Sequence, residues 1–223
     1  MSGELDLRSA EGFVHPDVKA EFPGLRLMWV TAEGGPASSP PDLARRLQAH
    51  SNRYRGASVV AMRTQPIPHA YRSFYRQIGL DPDITRVPSE QAAVSRLLRG
   101  GFVSRDILHD ALLLAVLETG VPVWAIDADR VDAGGLGIRM TTAGDSLSAA
   151  SEDAAELPSG RLVVADAIRI HALLFGKVTP AHRPGPATTR LALFTIGVDG
   201  VPSIHLEEAL WVSLEALKQR RTL

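Results

Sequence analysis

The chain has 223 residues, is 45% hydrophobic and 22% charged, and carries a formal net charge of −1, the profile of an ordinary soluble globular protein. It has no cysteine, which excludes disulfides, thiol nucleophiles and Cys-ligated metals. Its longest strongly apolar run, Ala111 to Leu117, falls far short of the roughly 20 residues that a membrane span needs.

The opening residues, MSGELDLRSAEGF, are acidic and polar, without the basic-then-apolar order of a signal peptide. A cytoplasmic protein is expected, with residues 1–13 a poorly ordered segment and residues 14–223 one domain. Leu25 to Val30 has the length and apolarity of a strand. Gly34 to Asp42 is a Gly/Pro/Ser loop with Asp42 placed to cap a helix over Leu43 to Tyr54. Small and β-branched residues predict a buried strand over Ala57 to Met62. A helix over His69 to Ile78 ends at Gly79.

Ser89 caps the next helix, Glu90 to Leu98, and Ser104 caps one over Asp106 to Glu118 that stops at Gly120. This last helix is apolar nearly all round, so it is expected at the centre of the fold. Strands then dominate: Val121 to Ile126, Ile138 to Thr142, Arg161 to Ala165, Ile170 to Phe175 and Leu191 to Val198. Ser146 to Pro158 is small, polar and acidic and is expected to be a mobile loop. Leu206, Leu210, Leu214 and Leu217 recur at helical spacing in a closing helix over Ile204 to Leu217. Helices first and strands later predict an α+β fold, with a buried central helix and flanking helices packed on a mixed or antiparallel, sandwich-like sheet.

Charge is unevenly spread. Arg45 to Arg105 holds eleven arginines against three acids, and Asp106 to Gly160 holds ten acids against two arginines. The split suits either a basic face for phosphates or two segments that neutralise one another. No P-loop, HExxH or GxSxG motif is present, and the seven histidines are scattered, so no cofactor and no metal is expected.

Several short runs occur together in order: Phe22 to Arg26, Glu90 to Leu98, Asp106 to Leu113, Gly120-Val121-Pro122, Val123 to Asp127, Leu162 to Asp166, and Ala187 to Arg190 leading into Leu191 to Phe194. In that order and spacing the chain resembles the tRNA-binding editing domain of the phenylalanyl-tRNA synthetase beta subunit, in a free-standing form. The resemblance implies tRNA, or a small amino-acid-like ligand, as partner, and hydrolysis of a mischarged aminoacyl ester as activity. It also implies a pocket between the start of the central helix, the strand through Trp124 and the strand through His171. The family's three polar positions fall on Leu113, Trp124 and the loop from Thr179 to Pro186. Leu113 has no hydrogen-bonding side chain, Trp124 donates only, and the loop has no carboxylate. A non-catalytic binding module is therefore the competing expectation.

Asp106 and Asp110, four apart on one helix face, suit an ammonium group. The alternative makes Asp106 a helix cap and Asp110 a backbone-bonded carboxylate. His109 and Asp110 are expected to diverge around the helix. His182, in a Pro/Gly loop, and Asp110 are the candidate catalytic groups. Arg169 and His171 share one strand face and, with Leu113, Trp124, Ile126 and Thr189, complete the candidate ligand site. Arg72 and Arg76, flanked by tyrosines, are the candidate phosphate patch.

Overall fold

The computed structural model describes residues 9–54, 56–147 and 156–219. Among the described residues, eight strands and seven α-helices are arranged as two four-stranded sheets with helices packed against them, an α+β fold. The strands are β1 (Ala10–Glu11), β2 (Phe13–Val14), β3 (Arg26–Glu33), β4 (Val123–Asp127), β5 (Gly137–Met140), β6 (Leu162–Ala165), β7 (Ile170–Leu173) and β8 (Arg190–Gly197). The first sheet has the order β1-β3-β8-β4 and is antiparallel throughout. The second has the order β2-β5-β6-β7, with β2 parallel to β5 and the other pairs antiparallel.

The helices are α1 (Pro16–Glu21), α2 (Pro41–Arg53), α3 (Gly56–Ala61), α4 (Pro66–Gln77), α5 (Pro88–Arg99), α6 (Ile107–Thr119) and α7 (Ser203–Lys218). As its composition predicts, α6 is central: Ile107, Ala111, Leu114 and Ala115 are fully buried, and the helix touches α2, α5, α7 and β4. Its apolar surface runs almost all round because it has neighbours almost all round.

One row of side chains positions the site. Trp29 of β3, Phe194 of β8 and Trp124 of β4 lie directly opposite one another across the first sheet, so they share a face. Trp29 lies against Gly135, where φ is +80° and a Cβ would come within 2.8 Å of the indole; only glycine fits both conditions. Trp124 lies against Phe175, just after β7. This face therefore meets the second sheet.

Three expectations are corrected. The strand expected over Ala57 to Met62 is α3, followed by a 3₁₀ turn over Met62–Thr64. Its β-branched residues find no strand to pair with, and Val60 is left 72% exposed; local helical bonds satisfy the backbone instead. Residues 10–13, expected to precede the domain, are paired into both sheets, while residues 1–8 lie outside the described residues. The caps also differ. Val87 precedes α5 with Pro88 at its first position, and Asp106, not Ser104, caps α6 by accepting from the His109 amide at 2.8 Å. Most of the acidic loop expected over Ser146 to Pro158 lies outside the described residues.

Candidate functional site

His171 and His182, eleven positions apart in the chain, are brought together. Their rings meet edge to face with centroids 4.4 Å apart. His171 is fully buried, and its Nε2 lies 2.9 Å from Asp166 Oδ2. Asp166 in turn accepts from the amides of Asp132, Ile168 and Arg169. Burial opposes its charge, but these three amides and His171 outweigh it and hold its carboxyl below the usual range. A carboxylate so held fixes the proton of His171 on Nε2, leaving Nδ1 bare; that Nδ1 is buried without a partner. His182 Nδ1 lies 2.7 Å from Thr179 Oγ1, and the His182 carbonyl accepts from the Asp127 amide at 3.0 Å. Burial, then His171 and Arg169, push the His182 imidazole down to about 4, so it is neutral at pH 7. Asp166 and Thr179 were not singled out as site residues by sequence. Asp166 belongs to a recognised strand motif, but nothing in a linear reading ties it to His171.

Trp124 belongs to a different neighbourhood. It is half-buried, stacked on Phe194 (centroids 5.6 Å apart, planes at 14°) and tilted on Phe175 at 5.9 Å. Phe175 also meets Tyr71, Phe74 and Tyr75. It does so from a left-handed backbone conformation, φ +59°, which is unusual for a large side chain. The rings thus fill the space on the inner side of Trp124. Beyond them, Phe22 packs on Phe74 and lines a cavity of about 330 Å³ with Met140, Leu173 and Leu174, rimmed by Glu21, Gln77 and Arg161.

The remaining sequence candidates fall in several places. Asp106 is a helix cap. Asp110 is fully buried and accepts from the Ser104 hydroxyl, the Arg105 amide at 3.1 Å and His109 Nδ1 at 3.1 Å. Although burial opposes its charge, these donors keep it below the ordinary carboxylate range. Asp110 thus ties down the turn before α6 and presents no free oxygen to an ammonium group. Its contact with His109 corrects the expected divergence of those two side chains. Ile126 is buried in the core, Leu113 is half-buried, Thr189 is exposed, and Arg169 is exposed with Nη1 3.4 Å from the Arg130 carbonyl.

Arg72 and Arg76 do not form one patch. Arg72 is buried, with Nη1 3.0 Å and 3.2 Å from the two oxygens of Glu90 and Nη2 2.8 Å from Asp83; Arg76 is exposed. Among the described residues no cluster of three or more His, Asp or Glu could hold a metal ion, and no helix is long and apolar enough to cross a membrane.

Residues 70–183, just over half of the chain, match the B3/4 domain family. The chain belongs to the B3/4 domain family. This is the domain found in the phenylalanyl-tRNA synthetase beta subunit. No curated protein matches the sequence. The part of this B3/4 domain that matches runs from α4 to the turn holding His182, so it includes α6, β4, the Asp166–His171–His182 cluster and Phe175. It omits β8, which pairs with β4 and sets Phe194 beside Trp124, and β3, which pairs with β8 on its other side.

Proposed function

We propose that this B3/4 domain binds the aminoacyl end of a tRNA, with the Trp124 indole as the plate on which the aromatic part of that ligand stacks. What supports the reading is the environment of Trp124. It falls on one of the three polar positions that the resemblance marks, part-exposed and backed on its buried side by Phe194 and Phe175. A rigid, half-exposed indole offers a π-face to a terminal base or an aromatic aminoacyl group, worth about 1–3 kcal/mol per stack. Leu113 and Trp124 supply no general base, so binding is the primary activity.

The test is binding of aminoacylated tRNA to the full chain and to Trp124→Leu. Leucine keeps the apolar filling against Phe194 and removes the plate. Affinity is expected to fall about tenfold or more; unchanged affinity would sink the proposal.

A second reading, ester hydrolysis, is favoured by His182. Neutral at pH 7, it has a ring nitrogen, Nε2, that accepts a proton when Nδ1–H is donated to Thr179. In that tautomer His182 takes the proton of a water attacking the aminoacyl carbonyl and returns it to the ribose oxygen that leaves. His182 meets β4 at Asp127, three residues from Trp124 and thus about 10 Å along the strand. Release of amino acid from mischarged tRNA, lost in His182→Gln, supports hydrolysis; tight binding without release leaves the chain a binder alone.

A further inference from the structure

The rings behind Trp124 form a box that is already full. Its walls are the buried side chains of Tyr71, Phe74 and Tyr75 and the Trp124 indole. Tyr71 is fixed further by its hydroxyl, which donates to the Ile196 carbonyl at 2.8 Å. The Phe175 ring sits among all four, with centroid distances from 5.2 Å to 5.9 Å.

The backbone sets Phe175 apart from the walls. It is the third residue of a turn closed by the Gly176 amide, which donates to the Leu173 carbonyl at 2.7 Å, and its φ is +59°. That position is ordinarily left to glycine or asparagine, because a Cβ crowds the backbone there. A phenylalanine in it is stabilised by what its ring touches, and the ring touches the box. Phe175 is also part-exposed, so without its ring the box would open to solvent.

An aminoacyl group needs room for its side chain and an acceptor for its α-ammonium. Phe175 takes the room on the inner side of Trp124. The cavity of about 330 Å³ lies beyond Phe74 and Phe22, and neither Trp124 nor Phe175 lines it. Towards the histidine pair, both imidazoles are buried. Asp127, the carboxylate of β4, already accepts from the Thr188 hydroxyl at 2.7 Å on one oxygen and from the Asp129 amide at 3.1 Å on the other. Asp129 is paired with Arg190 at 3.2 Å. The part-exposed indole is what remains, and stacking on it requires only a flat ring.

We infer that Phe175 sets the ligand class of this site. Its ring takes the place of an aminoacyl side chain, so the domain stacks the terminal base of a tRNA on Trp124 and binds that end whatever amino acid it carries, or none. The inference rests on the reading of Trp124 as a stacking plate.

The probes are one tRNA body in four forms: uncharged, lacking its terminal adenosine, and carrying alanine or phenylalanine through an amide that resists hydrolysis. Dissociation constants are measured for the parent, Trp124→Leu and Phe175→Gly. In the parent the uncharged, alanyl and phenylalanyl forms are expected to agree within about twofold, and loss of the adenosine to weaken binding about tenfold or more. Phe175→Gly suits the left-handed backbone and empties the box. It is expected to prefer the phenylalanyl to the alanyl form about tenfold. A parent that binds the phenylalanyl form about fivefold tighter than the other two intact forms overturns the inference. So does full affinity for the tRNA without its adenosine, or a folded Phe175→Gly that shows no preference. If that variant does not fold, the parent series decides alone. Failure of the plate reading looks different: Trp124→Leu then binds every form as the parent does.

Discussion

At the residue scale, the histidine pair makes stability depend on pH. His182 titrates near 4 in the folded chain against an ordinary 6.5, and burial lowers His171 as well, against the pull of Asp166. Between those two pH values the unfolded chain holds protons that the folded chain does not, so stability is intact above 6.5 and falls as pH drops towards 4. His182→Gln is expected to flatten that stretch of a denaturant-derived stability curve, by an amount of order 2 kcal/mol. An unchanged slope would show that burial does not oppose the His182 cation. Below about 4 the sign rests with Asp110 and Asp166, whose folded values are lowered: what they contribute is lost as pH falls through their folded values.

At the scale of elements, Arg72 explains how α4 and α5 are joined. Its guanidinium binds Glu90, 2% exposed, near the start of α5 and Asp83 in the turn between the helices, and Arg63 approaches Asp83 at 3.1 Å. Arg72→Met leaves Glu90 buried and poorly compensated and is expected to cost about 3–5 kcal/mol in urea unfolding; Arg72→Met with Glu90→Leu should recover most of that. Sequence patterning revealed most elements here but not their partners. The helix expected over His69 to Ile78 is α4, which begins three residues earlier at Pro66, yet the same run gave no sign that Arg72 points inward and Arg76 outward. Ser89 and Ser104 looked like caps, but proline at the first position of α5 moved its cap to Val87, and Ser104 turned to Asp110. Val59 and Val60 looked like strand because β-propensity describes a pleated, half-buried surface, and no neighbouring strand exists there. Motif order pointed to Trp124 as a candidate. The half of the site resting on Asp166, Thr179 and the meeting of His171 with His182 was not legible, because it depends on how the β6–β7 pair and the following turn fold back on β4.

For the whole molecule, the charge split along the chain is neutralised both across its division and within each segment. Arg46 and His50 reach across the division to Glu118, but Arg72 pairs within its own segment and Arg139 pairs with Asp145 at 2.6 Å. Arg86 and Arg99 are exposed and have no side-chain hydrogen bond or ion pair among the described residues. If the arginine-rich stretch around α5 contacts the tRNA backbone, Arg86→Ala and Arg99→Ala should each lower the slope of log affinity against log salt by about one unit. Arg72→Met should change stability and leave the slope alone. Equal slopes for all three variants would place the phosphate contacts elsewhere.

The position of β8 has a consequence for how this domain can be made and cut. It lies between β3 and β4, pairing with eight residues of one and five of the other, although it follows β4 by more than sixty positions in the chain. During synthesis β3 and β4 must wait, unjoined to each other, until residues near 197 have left the ribosome. A fragment trimmed to residues 70–183 would leave β4 without β8 and its tryptophan without Phe194, so it should be recovered as aggregate rather than as a smaller working unit.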